Sequence, residues 1–238
     1  MYGEYGVPGF AMSNPGGSNM IPQVPFEQPK NLFRYGEQSL WSSQRHAANA
    51  PLANGTFRLF TTPLGQVGQG FAQGLTIAET SLKEGGRIPA GVAFDAYGIS
   101  CLVAGAVTSG QLTPNFQIAS AINTAELITD LVNVQNNGVL TWDFIQTQVD
   151  IAPLHLIGAG GGAFGSISTT QNATSSGALN NGAGSIWMYR KHPISLPGNS
   201  TFSVLLRYGA NAAPVGATND LVLKVALFGY YKTAIEIG

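Results

Sequence analysis

From about residue 54 onward, short apolar or alternating runs recur between clusters of Gly, Pro, Asn and Ser. That spacing is the signature of a β-rich domain. "TFRLFTT" (56–62) alternates Phe57, Leu59 and Thr61. "VAFDAYGISCLVAGAV" (92–107) predicts a long strand bent near Gly98, since an interior glycine marks a kink or a bulge. Shorter candidates follow at 113–120, 138–147, 149–158, 185–191 and 200–209. The closing run 220–237 places Leu221, Leu223, Val225 and Leu227 on one face, with Val222, Lys224 and Ala226 on the other. The first face is expected to enter the core. Lys224→Glu is then expected to spare the fold.

One segment has the helical period instead. Leu127, Ile128, Leu131 and Val134 form a stripe. Asn123 with Glu126 reads as a capping box, and Asn136, Asn137 and Gly138 end the helix. About eight strands, one short helix and no strand–helix alternation predict an all-β antiparallel sandwich or barrel rather than a parallel α/β sheet.

Residues 1–50 differ. They are rich in Pro and Gly, show neither period, and carry scattered aromatics: Tyr2, Tyr5, Phe10 and Phe26. They read as an extended N-terminal arm before a β-sandwich domain at 51–238. Two readings stand: plain disorder, or an arm whose aromatics dock in grooves on adjacent subunits; on the second, a chain beginning near Pro51 is expected to fold yet assemble poorly.

Composition sharpens this picture. Charged residues make up 10% of the chain, against roughly 25% in an average soluble protein. The net charge is −1. So neutral a surface invites association and suits a chain covered by neighbours; a secreted β-protein with a neutral surface is the alternative. The start, "MYGEYGVPGF", lacks the basic segment and apolar run of an export signal, and no apolar stretch reaches the ~20 residues a membrane span needs.

Candidate chemistry is sparse. Gly160, Gly162 and Gly165 spell G-x-G-x-x-G after an apolar run. A dinucleotide site also needs a following helix and an acidic residue about 20 positions on. The next residues have no helical period, and Ile151 to Asn219 contain no Asp or Glu. The run therefore reads as a long, flexible, uncharged loop from Gly158 to Gly184. His46, His155 and His192 lack metal-ligand spacing, and His155 reads as a core histidine in a strand. Cys101, the single cysteine, reads as a small core residue. Asp143 and Asp150 could pair as glycosidase carboxylates, but solvated or hydrogen-bonded strand-edge residues are the simpler reading. No catalytic residue, cofactor or metal is expected. Thinly spread Lys and Arg argue against strong direct nucleic-acid binding.

"TSLKEGGRIPAGVAFDAYGIS" (80–100), "ISLPGNSTFSVLLRYG" (194–209) and "LVLKVALFGYYKTAIEI" (221–237) resemble, in layout and texture, the jelly-roll capsid (coat) proteins of tailless icosahedral viruses, especially those infecting bacteria. The resemblance covers about residues 51–238 and carries no individual functional residue. It implies an eight-stranded jelly roll, homo-oligomeric capsomers, a place in the virion after synthesis in the host cytoplasm, and no catalysis. A single jelly roll fits the strand count better than a double one. Expected partners are further copies of the chain and other virion proteins; contact with an internal viral membrane stays open. The alternative is a carbohydrate- or peptide-binding β-sandwich module, with Trp142, Trp187 and Tyr189 as its stacking platform.

Overall fold

The computed structural model describes residues 32–106, 124–144, 147–157, 159–166, 177–182, 187–188, 193–217 and 220–235. In chain order these form β1 (Leu32–His46), β2 (Thr56–Leu59), β3 (Val92–Ala106), α1 (Thr124–Asn137), β4 (Gly138–Phe144) and β5 (Thr147–Pro153). After a 3-10 turn at Leu154–Leu156 come β6 (Ala159–Ser166), β7 (Gly177–Gly182), β8 (Trp187–Met188), β9 (Ile194–Leu196), β10 (Phe202–Tyr208) and β11 (Asp220–Ile235). The strand expected at 113–120 lies outside the described residues.

The described strands make two main antiparallel sheets and a hairpin. One sheet runs β1-β11-β3-β8, with β9 also on β3; the other runs β2-β10-β4-β5; β6 pairs with β7. Leu221, Leu223, Val225 and Leu227 from the first sheet and Val204, Leu206 and Tyr208 from the second join one apolar cluster. Leu131 and Val134 of α1 enter the same cluster. The period-two face of β11 is thus buried as the sequence predicts, and so are Leu131 and Val134 of the helical stripe; Leu127 is half-buried, and Asn123 and the Ile128 side chain lie outside the described residues.

The bend expected near Gly98 is a one-residue bulge. Phe228 faces Gly98 and Gly229 faces Ala96, so Tyr97 is the extra residue on β3. A period-two strand that gains a residue must exchange faces. Before the bulge Phe94 and Ala96 point into the core; after it Ile99, Cys101 and Val103 do.

Residues 1–50 were expected to hold no strand. Instead β1 pairs with β11 over its full 15 residues, from Leu32↔Ile235 to His46↔Leu221. The reason is chemical. The core-facing positions Ser42, Gln44 and His46 are polar, so alternation of hydrophobicity does not reveal the strand. Each is buried and finds a distant partner. Ser42 Oγ accepts from Phe60 N at 2.9 Å, Gln44 Nε2 donates to Gln69 O at 3.1 Å, and His46 Nε2 lies 3.1 Å from the Tyr208 hydroxyl. The connection between β2 and β3 folds over the free edge of β1: Ser81 N donates to Trp41 O at 3.0 Å and Trp41 Nε1 to Ile77 O at 2.9 Å. Covering an edge removes a template for unwanted pairing.

Two further expectations change. The uncharged loop at Gly158–Gly184 contains the β6–β7 hairpin, which a glycine-rich sequence without alternation does not announce. The strand expected at 149–158 stops at Pro153, whose missing N–H cannot continue the ladder, and His155 falls in the 3-10 turn, exposed rather than in the core.

Candidate functional site

The outer face of the first sheet, beyond the segment that covers β1, carries a cluster of aromatic and charged side chains. The bulge turns Tyr97 outward, where its ring lies 5.0 Å from that of Tyr230. The Tyr97 hydroxyl donates to Glu37 Oε1 at 2.6 Å. That hydrogen bond, ahead of burial, pushes the Tyr97 hydroxyl up to about 12. Asp95 is cross-strand from Tyr230 and forms an ion pair with Lys232. Its other carboxylate oxygen, Oδ1, is buried without a hydrogen-bond partner. Tyr230 is 44% exposed and Tyr35 60%. This surface offers ring faces and acceptors to a partner, but no activated nucleophile or acid–base pair.

The second sheet's outer face is a ladder of charge pairs. Asp143 and Asp150 stand on neighbouring strands, β4 and β5, separated in register because Thr141 faces Asp150 while Asp143 faces Gln148. Each has cationic and hydroxyl partners. Arg58 lies 3.3 Å from Asp143, whose other bond comes from Ser203 Oγ at 3.1 Å. Arg207 lies 3.8 Å from Asp150, which accepts from Thr141 Oγ1 at 2.7 Å. Exposed ion pairs of this kind hold register and stabilise little. They leave both carboxylates engaged rather than poised for glycoside chemistry.

The remaining residues singled out by the sequence disperse. Gly160, Gly162 and Gly165 lie within strand β6, not at the N-terminus of a helix. Trp142 is only 4% exposed and packs near Phe202, their ring centroids 6.4 Å apart; Tyr189, His192 and the Trp187 side chain lie outside the described residues. Cys101 is buried, and burial pushes its thiol up to about 12. Among the described residues no three His, Cys, Asp or Glu side chains converge as a metal site would, and no helix is long and apolar enough to cross a membrane.

The histidine that sequence reasoning passed over is His46. It is 1% exposed, set edge-on to Phe57 at 4.4 Å and to Tyr208 at 5.6 Å. Its Nδ1 has no partner. Burial lowers its pKa to about 4, so the ring is neutral at pH 7. No local signal marks it, because its partners come from β2 and β10.

An open cleft of about 350 Å³ lies at the far end of the first sheet's inner face, between β1, β11 and the residues leading into β3. Comparison with protein-family models, with curated proteins and with solved structures gives no match.

Proposed function

We propose that this chain is a non-catalytic structural protein: a single jelly roll that self-assembles with further copies of itself. More particularly, we infer the major capsid protein of a tailless icosahedral virus, most plainly a bacteriophage.

The observation that carries the reading is the nesting of the strand pairs. β1 pairs with β11, β2 with β10, β3 with β9 and β4 with β5. The chain is thus a long antiparallel ribbon folded back on itself. Coiling that ribbon adds the pairs β11–β3 and β10–β4. This nesting among the described strands supports reading the two sheets as a jelly roll, an arrangement used by viral shells, lectins and cupins. Among these uses, the low charge and the exposed Leu64, Val67 and Ile77 on the β2–β3 connection favour burial against neighbours. The competing reading, a carbohydrate- or peptide-binding module, drew on Trp142, Trp187 and Tyr189; Trp142 is committed to the core, while Tyr189 and the Trp187 side chain lie outside the described residues.

Sedimentation of the purified native protein tests the proposal. Megadalton species, or capsomers that convert to them, are expected. A stable monomer at all concentrations would contradict it.

A further inference from the structure

β1 is an edge strand of the first sheet, with β11 on one side of it. Its other side is held at Trp41. Ser81 N donates to Trp41 O at 3.0 Å, and Trp41 N donates to Ser81 Oγ at 2.8 Å. Trp41 therefore aims its N–H and C=O away from β11. Peptide groups alternate along a strand, so those of Phe33, Tyr35, Glu37 and Ser39 point the same way. Among the described residues, no hydrogen bond reaches this stretch of the edge. Edges are commonly blunted by proline, lysine or a bulge. Residues 32–39 contain none of these, and their ladder to β11 is regular. Gly36 lies in the middle of the stretch and is exposed. A Cβ added there would meet nothing within 4 Å, so the chain's own packing does not call for glycine. A glycine inside a strand often marks the close approach of another backbone.

We propose that this edge is a contact with a second copy of the chain. Two β1 strands pair antiparallel about a two-fold axis at Gly36, and the first sheets of the two copies join into one. The inference rests on the reading that the chain assembles with itself, and it names the surface used. The register follows from the free groups. Phe33, Tyr35, Glu37 and Ser39 must face one another in hydrogen-bonded pairs. An axis at Glu37 would set like charges directly opposite, which destabilises a ladder, and would run Phe33 into Trp41, whose groups Ser81 holds. An axis at Tyr35 would send Ser39 past the tip of β1 at Leu32. An axis at Gly36 pairs Phe33 with Ser39 and Tyr35 with Glu37. It uses every free group of the stretch in both copies and stops short of Trp41. Gly36 then faces Gly36 of the second copy in a non-hydrogen-bonded pair, where Cα atoms come to about 4.5 Å. That close approach accounts for the glycine. A two-fold contact of this kind is self-complementary and closed, so it supplies a dimeric unit for larger assemblies.

Thiol trapping in the full chain tests the contact, with buried Cys101 left in place. Under a mild oxidant, Gly36→Cys is expected to form a disulfide-linked dimer on the order of tenfold faster than Arg34→Cys or Gln38→Cys alone, because only position 36 faces itself within disulfide reach. Arg34 faces Gln38 of the second copy, and the two Arg34 positions lie about 13 Å apart. Co-expressed Arg34→Cys and Gln38→Cys chains are therefore expected to cross-link to each other, a bond that peptide mapping identifies and that leaves Gly36 intact. No interchain disulfide in either experiment, or equal rates for the three single variants, would overturn the contact. Sedimentation of the parent chain separates that failure from failure of the functional reading. Large species without a trapped pair would sink the contact and keep self-assembly; a monomeric parent would sink both.

Discussion

His46 Nε2 and the Tyr208 hydroxyl lie 3.1 Å apart inside the core, joining the end of β1 to the end of β10 across the two sheets. The pair ties stability to pH. The folded His46 holds its proton only below about 4, whereas the unfolded ring titrates near 6.5. Between those values the unfolded state binds more protons, so stability falls as pH drops from 6.5 towards 4 and is independent of this group above 6.5. At about 1.36 kcal/mol per unit, the full loss is of order 3 kcal/mol. Urea melts at pH 7 and pH 4.5 are expected to show it, and His46→Gln is expected to flatten that part of the profile while lowering stability at pH 7. An unchanged slope in His46→Gln would place the acid sensitivity elsewhere.

A chain beginning at Pro51 was expected from the sequence to fold; with residues 32–46 forming a strand rather than part of an arm, it is instead expected to lose the fold. It lacks β1, so the whole of one edge of β11 goes unpaired. A chain beginning at Leu32 keeps every described strand and is expected to give the β-sheet circular dichroism and melting midpoint of the parent. Cooperative melting of the Pro51 chain would show that β1 is dispensable.

Val225 is fully buried, and Val225→Asp would place an unpaired carboxylate in the apolar cluster. A cost of several kcal/mol against a total stability of about 5–15 kcal/mol predicts no soluble folded protein. Lys224, on the opposite face, is less tolerant than its sequence context suggests. Burial lowers its pKa while the nearby Glu79 carboxylate acts in the opposite direction, and Glu79 itself is buried. Lys224→Glu sets two carboxylates together there and is expected to cost about 1–3 kcal/mol, with Lys224→Met milder. Chemical denaturation ranks the three.

Gly229 packs against the Asp95 carbonyl and the Phe94 ring, with no room for a Cβ. Gly229→Ala is expected to destabilise by about 1–3 kcal/mol through overpacking beside the bulge. Wild-type stability in that variant would mean that the register shift relaxes freely.

What the sequence disclosed follows from how each residue meets its partners. β11 was legible because Leu221, Leu223, Val225 and Leu227 alternate with the period of the pleat. The α1 stripe was legible for the same reason at the helical period. β1 was not, because Ser42, Gln44 and His46 gain burial through hydrogen bonds to Phe60, Gln69 and Tyr208, which no local pattern foretells. The roles of Asp143 and Asp150 also depended on pairing: only the β10 register brings Ser203 beside the first, and only the β5 register brings Thr141 beside the second. The outward cluster of Glu37, Tyr97 and Tyr230 depends on β1 and on a bulge, so it was invisible along the chain.

Electron microscopy of the purified full chain tests self-assembly into a shell most directly. The proposal predicts closed, icosahedral particles of uniform diameter, formed by this chain alone. Monodisperse single subunits or small rings that never close, across the protein and salt concentrations at which coat proteins are purified, would contradict it.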